Sequence, residues 1–278
     1  MKLHVSKMHG AGNDFVVIDG VSQPVELSAS QIKFIGDRKR GVGCDQILLA
    51  KPPDDPCADF RYIIYNADGS RAGQCGNGAR CMARFLRKKG LTRRRKFTFQ
   101  TDNEPLLISI EKDGRIFAGL PPPVFDPNLI PFEAPDNADE YPLEVQGQIV
   151  SVGTVSMGNP HAILIVDNCE EAPVTSLGGL IEKHERFPNR VNVNFMEILQ
   201  RNEIRLRVFE RGVGETQSCG SGACASAAHG IKLGILDSTV AVDLPGGKLS
   251  VSWEGIKEHV WLGGPTAFVF DATIFLKN

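Results

Sequence analysis

The sequence predicts a mixed α/β (α+β) fold built from two copies of one domain. Three observations lead there. Strand-like and helix-like segments alternate along the chain, the motif Cys-Gly-X-Gly-Ala occurs twice, and polar landmarks around both copies recur at a nearly constant spacing.

The elements follow in order. Residues 60–65 (FRYIIY) are aromatic and β-branched, which suits a pleated strand. They run into Asn66-Ala67-Asp68-Gly69-Ser70, a cluster of turn formers in which Asp68 predicts an Asx-type turn. Residues 76–89 predict a helix stopped by Gly90. Residues 107–110, 116–120, 149–155 and 163–166 read as strands. Residues 204–209 alternate and lead through a Gly-rich turn to a helix of small residues over 220–232. Residues 240–244, 248–253, 258–262 and 268–275 end the chain as β-structure. Between the halves, Pro121, Pro122, Pro123, Pro127, Pro131, Pro135 and Pro142 predict an extended connector, and the domain crossover is placed there.

The repeat is the most informative feature. Cys75-Gly76-Asn77-Gly78-Ala79 and Cys219-Gly220-Ser221-Gly222-Ala223 stand 144 residues apart, as do Asn66 and Glu210. Asn13 and Asn159 stand 146 apart, as do Gln46 and Asn192. One such pair is a coincidence between two turns; four pairs predict two domain copies facing each other across a cleft, each contributing one cysteine and one set of amides.

Composition narrows the function. The 278 residues are 42% hydrophobic and 23% charged, enough for one large core or two smaller ones. A net charge of −2 argues against nucleic acid or an anionic membrane as the main partner. The basic run Arg93-Arg94-Arg95-Lys96 reads as a solvated loop beside a strand. The N-terminal residues lack the apolar stretch of a signal peptide, and no apolar run approaches the ~20 residues of a membrane span, so the expected location is cytoplasmic. Seven cysteines are too few, and odd in number, for a disulfide scaffold. Cys81 and Cys224 read as helix-buried core thiols and Cys44 as a packing residue, while Cys57 and Cys169 lie in polar stretches with no assigned role.

A cysteine followed by Gly-X-Gly at a helix start combines two properties. The first turn offers unsatisfied N–H groups and the positive end of the helix dipole, which favour a carboxylate and lower the thiol's usual value of about 8.5. Two such sites around one amino-acid α-carbon permit inversion: one thiolate removes the α-proton while the opposite thiol delivers another. Backbone N–H groups aimed at the carboxylate support the carbanionic intermediate.

Here the residues resemble a known family. Asn66-Ala67-Asp68-Gly69-Ser70, followed after four residues by Cys75-Gly76-Asn77-Gly78-Ala79-Arg80, is similar to the signature of the diaminopimelate epimerases. The resemblance covers essentially the whole chain, including His9-Gly10-Ala11-Gly12-Asn13-Asp14-Phe15, Gly43-Cys44-Asp45-Gln46 and Met157-Gly158-Asn159-Pro160-His161. It continues through Asn192 and Glu210-Arg211-Gly212-Val213-Gly214-Glu215-Thr216 to Cys219-Gly220-Ser221-Gly222-Ala223-Cys224-Ala225. Gln217-Ser218 stand where apolar residues are commoner in the family, and Ser221 where Thr is common.

The resemblance implies interconversion of LL- and meso-2,6-diaminopimelate, in lysine and peptidoglycan precursor synthesis, with no cofactor and no metal. It implies Cys75 and Cys219 as the proton-transfer pair, with His161 and Glu210 flanking the reacting centre. Asn13, Gln46, Asn66, Asn159, Asn192, Glu210 and Arg211 are implied to bind substrate, with Gly76, Asn77, Gly220 and Ser221 at the helix N-termini. It further implies a homodimer. Each domain is then a mainly antiparallel sheet or barrel around a central helix. The N-terminal domain is expected over 1–118, with 264–278 returning to it, and the C-terminal one over 119–263. Two other readings stand beside this one: another two-cysteine amino-acid racemase on the same fold, and a redox-regulated binding protein whose paired thiols oxidise.

Overall fold

The computed structural model describes residues 1–276. Among them it divides into two compact units, residues 1–119 with those from 263 onward and residues 120–262. Among the described residues no helix is long and apolar enough to cross a membrane.

In the first unit, β1 (Lys2–Gly10) and β2 (Asn13–Asp19) form an antiparallel hairpin. Next come α1 (Ala29–Gly36), β3 (Gln46–Lys51), β4 (Phe60–Asn66) and the short β5 (Arg71–Ala72). Then follow α2 (Gly76–Lys88), β6 (Lys96–Gln100), β7 (Leu106–Ile110) and β8 (Ile116–Leu120). Most pairings are antiparallel; β2 with β3 and β4 with β6 are parallel.

The second unit runs through β9 (Tyr141–Val145), β10 (Gln148–Ser156), β11 (Pro160–Ile165), α3 (Val174–Ile181) and β12 (Asn192–Gln200). It continues as β13 (Glu203–Glu210), β14 (Gly214–Thr216), α4 (Gly220–Lys232), β15 (Thr239–Leu244), β16 (Gly247–Ser252) and β17 (Val260–Gly263). Finally β18 (Ala267–Phe275) returns to pair antiparallel with β1, Lys2 opposite Phe275.

The sequence repeat is a repeat of β-register. Phe15 lies opposite Gln46 in the parallel β2–β3 pair, and His161 opposite Asn192 in the parallel β11–β12 pair. Ile64 faces Ala72 across β4–β5, as Val208 faces Thr216 across β13–β14. Gly12 and Gly158, just before Asn13 and Asn159, both take a left-handed turn, at φ 86° and 87°, where a side chain is strained.

The two long helices are central to their units. α2 buries ten of its residues, Phe85 and Leu86 among them; each large apolar side chain so buried contributes roughly 1.5–3 kcal/mol. Only its basic residues Arg84, Arg87 and Lys88 face outward. α4 uses Ala223, Ala225, Ala227 and Ala228, whose small side chains let strands approach closely. Both helices end alike. Leu91 N–H reaches Leu86 O at 2.9 Å past Gly90, and Ile235 N–H reaches Gly230 O at 3.1 Å past Gly234. These are Schellman stops, with each glycine at positive φ.

Two expectations need correction. The Pro-rich middle is not a bare connector. It carries a 3-10 turn at Pro127–Leu129 and the strand β9, whose Tyr141, Leu143 and Val145 point inward. Ile130, Phe132 and Tyr141 join the core of the second unit, and Phe132 stacks on Phe187 with ring centroids 4.7 Å apart. Proline does not prevent this, because Pro142 occupies the outward side of β9. Cys169 is fully buried despite its polar neighbours in sequence. Its thiol donates to the carbonyls of Phe195 (3.1 Å) and Arg205 (3.3 Å), and burial pushes it up to about 11.

Other thiols lie as expected: Cys44, Cys81 and Cys224 are buried, with burial raising Cys44 and Cys81 to about 12. Cys57 is exposed. Asp68 makes its turn, accepting from the Ser70 N–H at 2.8 Å.

Candidate active site

In the first unit, Cys75 is the N-cap of α2. Its Sγ accepts from the Gly78 N–H at 3.3 Å and donates to Asn13 Oδ1 at 3.8 Å. The Tyr62 hydroxyl, from β4, donates to the Cys75 carbonyl at 3.3 Å, and burial keeps that phenol protonated, well above its ordinary range. A side chain at Gly78 would collide with this hydroxyl. The glycine therefore serves close approach of β4 to the helix start.

Asn13 opens β2, Gln46 opens β3 and Asn66 ends β4. Gln46 and Asn66 are cross-strand neighbours, and Gln46 Nε2 donates to Asn66 Oδ1 at 3.0 Å. Asn66 in turn donates to Ser70 Oγ at 3.0 Å. Gln46 Oε1 is buried and has no hydrogen-bond partner, leaving one oriented acceptor uncommitted. Gly76 and Asn77 open α2. The Asn77 side chain is buried and accepts from the buried Arg80 at 2.9 Å, so the helix start presents backbone here rather than this amide.

Sequence reasoning missed a charged network behind Asn13. Asp45 Oδ2 accepts from Asn13 Nδ2 at 2.9 Å and from the Asp14 N–H at 3.0 Å. Asp14 Oδ1 accepts from the Asp45 N–H at 2.9 Å. Arg38 spans both carboxylates, and Lys7 reaches Asp14 at 2.5 Å. Burial raises Asp14, but hydrogen bonds from Arg38 and Lys7 outweigh it and hold the carboxyl well below the usual range. The available signal was that Asp14 and Asp45 sit inside the motifs containing Asn13 and Gln46.

The second unit builds its site differently. Cys219 is the N-cap of α4; no cap bond of full hydrogen-bond geometry forms, although the Gly222 N–H stands near enough to favour the thiolate. Its Sγ lies 3.6 Å from Ser221 Oγ. Ser221 Oγ accepts from Asn159 Nδ2 at 3.3 Å and lies 3.1 Å from His161 Nε2. His161 Nε2 is also 3.2 Å from Asn159 Oδ1. Behind the ring, Asn194 Nδ2 donates to the Ala162 carbonyl at 3.0 Å and to His161 Nδ1 at 3.2 Å. That carbonyl fixes the amide nitrogen toward the ring, which assigns the imidazole proton to Nε2. Burial pushes His161 down to about 3, so the ring is neutral.

Asn194 is the residue that sequence reasoning missed here. The available signal was a second asparagine two residues beyond Asn192, on the same face of a strand whose neighbours Val193, Phe195 and Met196 are apolar.

Glu210 ends β13 and accepts from the Thr216 hydroxyl at 2.5 Å. Asn192 opens β12 and is buried, donating to the Pro160 carbonyl at 2.9 Å and accepting from the Arg211 N–H at 3.0 Å. Its amide thus holds backbone, including that of Arg211. The exposed Arg211 side chain donates to the Asn189 carbonyl at 3.0 Å. Gly220 and Ser221 open α4, as expected.

The expectation that each helix start favours the thiolate fails at Cys219. Burial and then the charge of Glu210 raise this thiol well above its ordinary value, against the Ser221 hydroxyl and the Gly222 N–H. The magnitudes explain the outcome. A helix end is worth up to ~2 kcal/mol, or little more than one pKa unit, whereas full burial shifts a group by up to about 3–5 units.

Comparison with known proteins gives concordant results. The family model for diaminopimelate epimerase matches residues 5–121 and 153–268. The chain is 52% identical to a diaminopimelate epimerase of Thioalkalivibrio sulfidiphilus over 276 residues, covering 99% of each chain. It is 53% identical to one of Alkalilimnicola ehrlichii, covering 99% of this chain and 100% of the relative. Among solved structures, a hydroxyproline epimerase from Agrobacterium vitis superposes with a TM-score of 0.71 at 15% identity, covering 98% of this chain and 92% of that one. A phenazine biosynthesis protein of the PhzF family from Bacillus anthracis gives 0.70 at 16% identity, covering 99% of this chain and 100% of that one. At such identities these structures establish the shared fold alone.

Proposed function

We infer activity from a premise of kinship: the chain belongs to the diaminopimelate epimerase family. Its reaction is the epimerisation of LL-2,6-diaminopimelate to the meso isomer. The observation that carries this reading is the duplicated device, a cysteine N-capping each central helix at Cys75 and Cys219.

The chemistry balances within the protein. The thiolate of one cysteine takes the α-proton, and the electron pair left on carbon spreads into the carboxylate. The thiol of the other cysteine then delivers its proton to the opposite face. One sulfur gains the proton that the other loses, so no oxidant, reductant or cofactor enters the step. Backbone N–H groups at Gly76, Asn77, Gly220 and Ser221 stabilise the charge on the carboxylate. The raised thiol of Cys219 suits it to begin as the acid. Neutral His161 and Glu210 bias Cys219, the first through Ser221 and the second through its charge. Arg211 pairs with the distal carboxylate of the substrate. The uncommitted oxygen of Gln46 suits an ammonium, as do the amides of Asn13, Asn66 and Asn159. Asn192 acts by holding Arg211.

This reading extends to a cytoplasmic role in lysine and peptidoglycan precursor synthesis, which rests on the family alone. It also extends to a homodimer, supported by the exposed apolar residues Val269, Phe270 and Phe275 on β18.

The test uses the reduced protein and LL-diaminopimelate in deuterated water. Deuterium is expected at one α-carbon, together with the meso isomer, without added cofactor. Folded, reduced protein that catalyses no exchange would sink the reading.

A further inference from the structure

We propose that Asp45 is a positioning residue that fixes the rotamer of the Asn13 amide and thereby keeps an acceptor, not a donor, against the sulfur of Cys75. The inference rests on the acid/base assignment of Cys75 for its meaning in catalysis, but its geometry stands within the first unit alone.

A primary amide is nearly symmetric in shape, so its orientation is decided by its partners. Asn13 has two different neighbours. On one side stands a carboxylate oxygen, Asp45 Oδ2, at 2.9 Å, which can only accept and so takes the NH2 group. On the other side stands Cys75 Sγ, 3.8 Å from the Asn13 oxygen. With the amide pinned this way, the sulfur donates to Asn13 while accepting from the Gly78 N–H. That pattern fits a thiol. A flipped amide would aim N–H at the sulfur and favour the thiolate instead.

Asp45 is itself held by hydrogen bonds at both carboxylate oxygens, although its side chain is partly open to solvent. Its second oxygen accepts from Arg38 at 2.7 Å. Its Oδ2 also takes the Asp14 N–H, while its own N–H goes to Asp14 Oδ1, so two reciprocal bonds tie the start of β2 to the start of β3. Arg38 and Lys7 neutralise the pair of carboxylates. Tyr62 from β4 and Cys81 from α2 are titratable groups that lie close enough to Cys75 to feel its charge.

The repeat supplies an internal control. Positions 146 residues beyond Asp14 and Asp45 are Pro160 and Val191, which carry no charge, and the position matching Phe15 is His161. In the second unit the matching amide, Asn159, meets His161 and Ser221 instead of a carboxylate. The first unit lacks a histidine at that place and uses Asp45.

The experiment follows alkylation of Cys75 by iodoacetamide against pH, read by peptide mass spectrometry on the full, reduced chain. It needs no turnover, so it remains decisive even if the epimerase reading fails. Asp45→Ala frees the amide and is expected to move the reactivity profile of Cys75 to lower pH by about one unit, roughly tenfold faster labelling on the acid limb. Asp45→Asn, which keeps an acceptor oxygen, is expected to restore the wild-type profile. Asn13→Ala shifts the profile by itself, and adding Asp45→Ala then has no further effect. Arg38→Ala, which loosens Asp45 without touching Asn13, shifts it in the same direction by less, and is decisive should Asp45→Ala not fold. An unchanged profile in folded Asp45→Ala overturns the proposal. So does an equal shift in Asp45→Asn, or an undiminished shift on the Asn13→Ala background, either of which marks a through-space charge effect. With Arg38→Ala as the only folded variant, an unchanged profile overturns it as well.

Discussion

The two helix starts share a backbone and differ in their chemistry. Cys75 is half-buried, accepts a cap bond from Gly78 and faces an amide anchored in an ionic network. Cys219 is buried, stands beside the neutral chain of Ser221, His161 and Asn194, and feels the charge of Glu210 as well. Duplication preserved the strand register, the left-handed glycines before Asn13 and Asn159, and the helix stops. It did not preserve the devices that orient the polar groups. Geometry shared by two copies thus constrains where a sulfur stands, and a few flanking side chains decide its protonation.

The largest effect is expected from the sulfurs themselves. Cys75→Ser and Cys219→Ser should each lower turnover by about 100- to 10,000-fold, the range of general acid–base catalysis. The measure is the initial rate of deuterium incorporation. Near-wild-type rates in either variant would remove that cysteine from the mechanism.

A second measurement separates the two thiols directly. At pH 7 iodoacetamide should modify Cys75 at least about tenfold faster than Cys219, with exposed Cys57 as the internal standard. Labelling of Cys219 should still be rising above pH 9, because burial and Glu210 raise that thiol. Equal rates would erase the contrast.

Substitution of the glycines tests why each copy needs them. Gly78→Ala drives a methyl into the Tyr62 hydroxyl, and Gly222→Ala meets Asn194 Oδ1 at 2.5 Å. Each should cost about 1–3 kcal/mol by overpacking, read from urea midpoints. Tyr62→Phe should recover part of the first loss and none of the second.

The last effect is a difference in acid sensitivity, which appears only below neutral pH. His161 takes up a proton at about 3 in the folded chain, against 6.5 ordinarily, so as pH falls the unfolded chain gains protons first. Its contribution is full above about 6.5 and is lost progressively toward 3. His229, pushed down to about 4 by burial, acts with the same sign. Asp14, held low, contributes above about 4 and loses its share only in stronger acid. His161→Asn should therefore flatten, without abolishing, the fall in urea midpoint between pH 6.5 and 4. An unaltered slope would show that the ring is not titrating there.

The repeat and the central helices were legible because they are written locally. Gly90 and Gly234 mark stops, and strands such as β4 and β13 carry their own pattern. Other elements are masked. α1 has only Ile32, Ile35 and Gly36 buried, and its start is marked by the capping box of Ser28 and Gln31 rather than by periodicity. At the site, the landmark residues stand out by type and spacing. Their orientation does not, because Asp45 meets Asn13 only through the parallel pairing of strands 31 residues apart, and Asn194 meets His161 only through β11 and β12. The rise of the Cys219 thiol is likewise hidden, since burial is a property of the folded unit.

The pairing of Lys2 with Phe275 has a biosynthetic consequence. Of the strands described, β18 is the last to leave the ribosome, yet it is the edge partner of the first. Residues 120–262 are translated in full before it appears, so the second unit has every strand it needs while the first still exposes one side of β1. Contacts of such long sequence separation form slowly. On the nascent chain, therefore, β1 is paired with β2 on one side and open on the other for the whole of that interval, and a chaperone that shields strand edges has its natural target on that open edge.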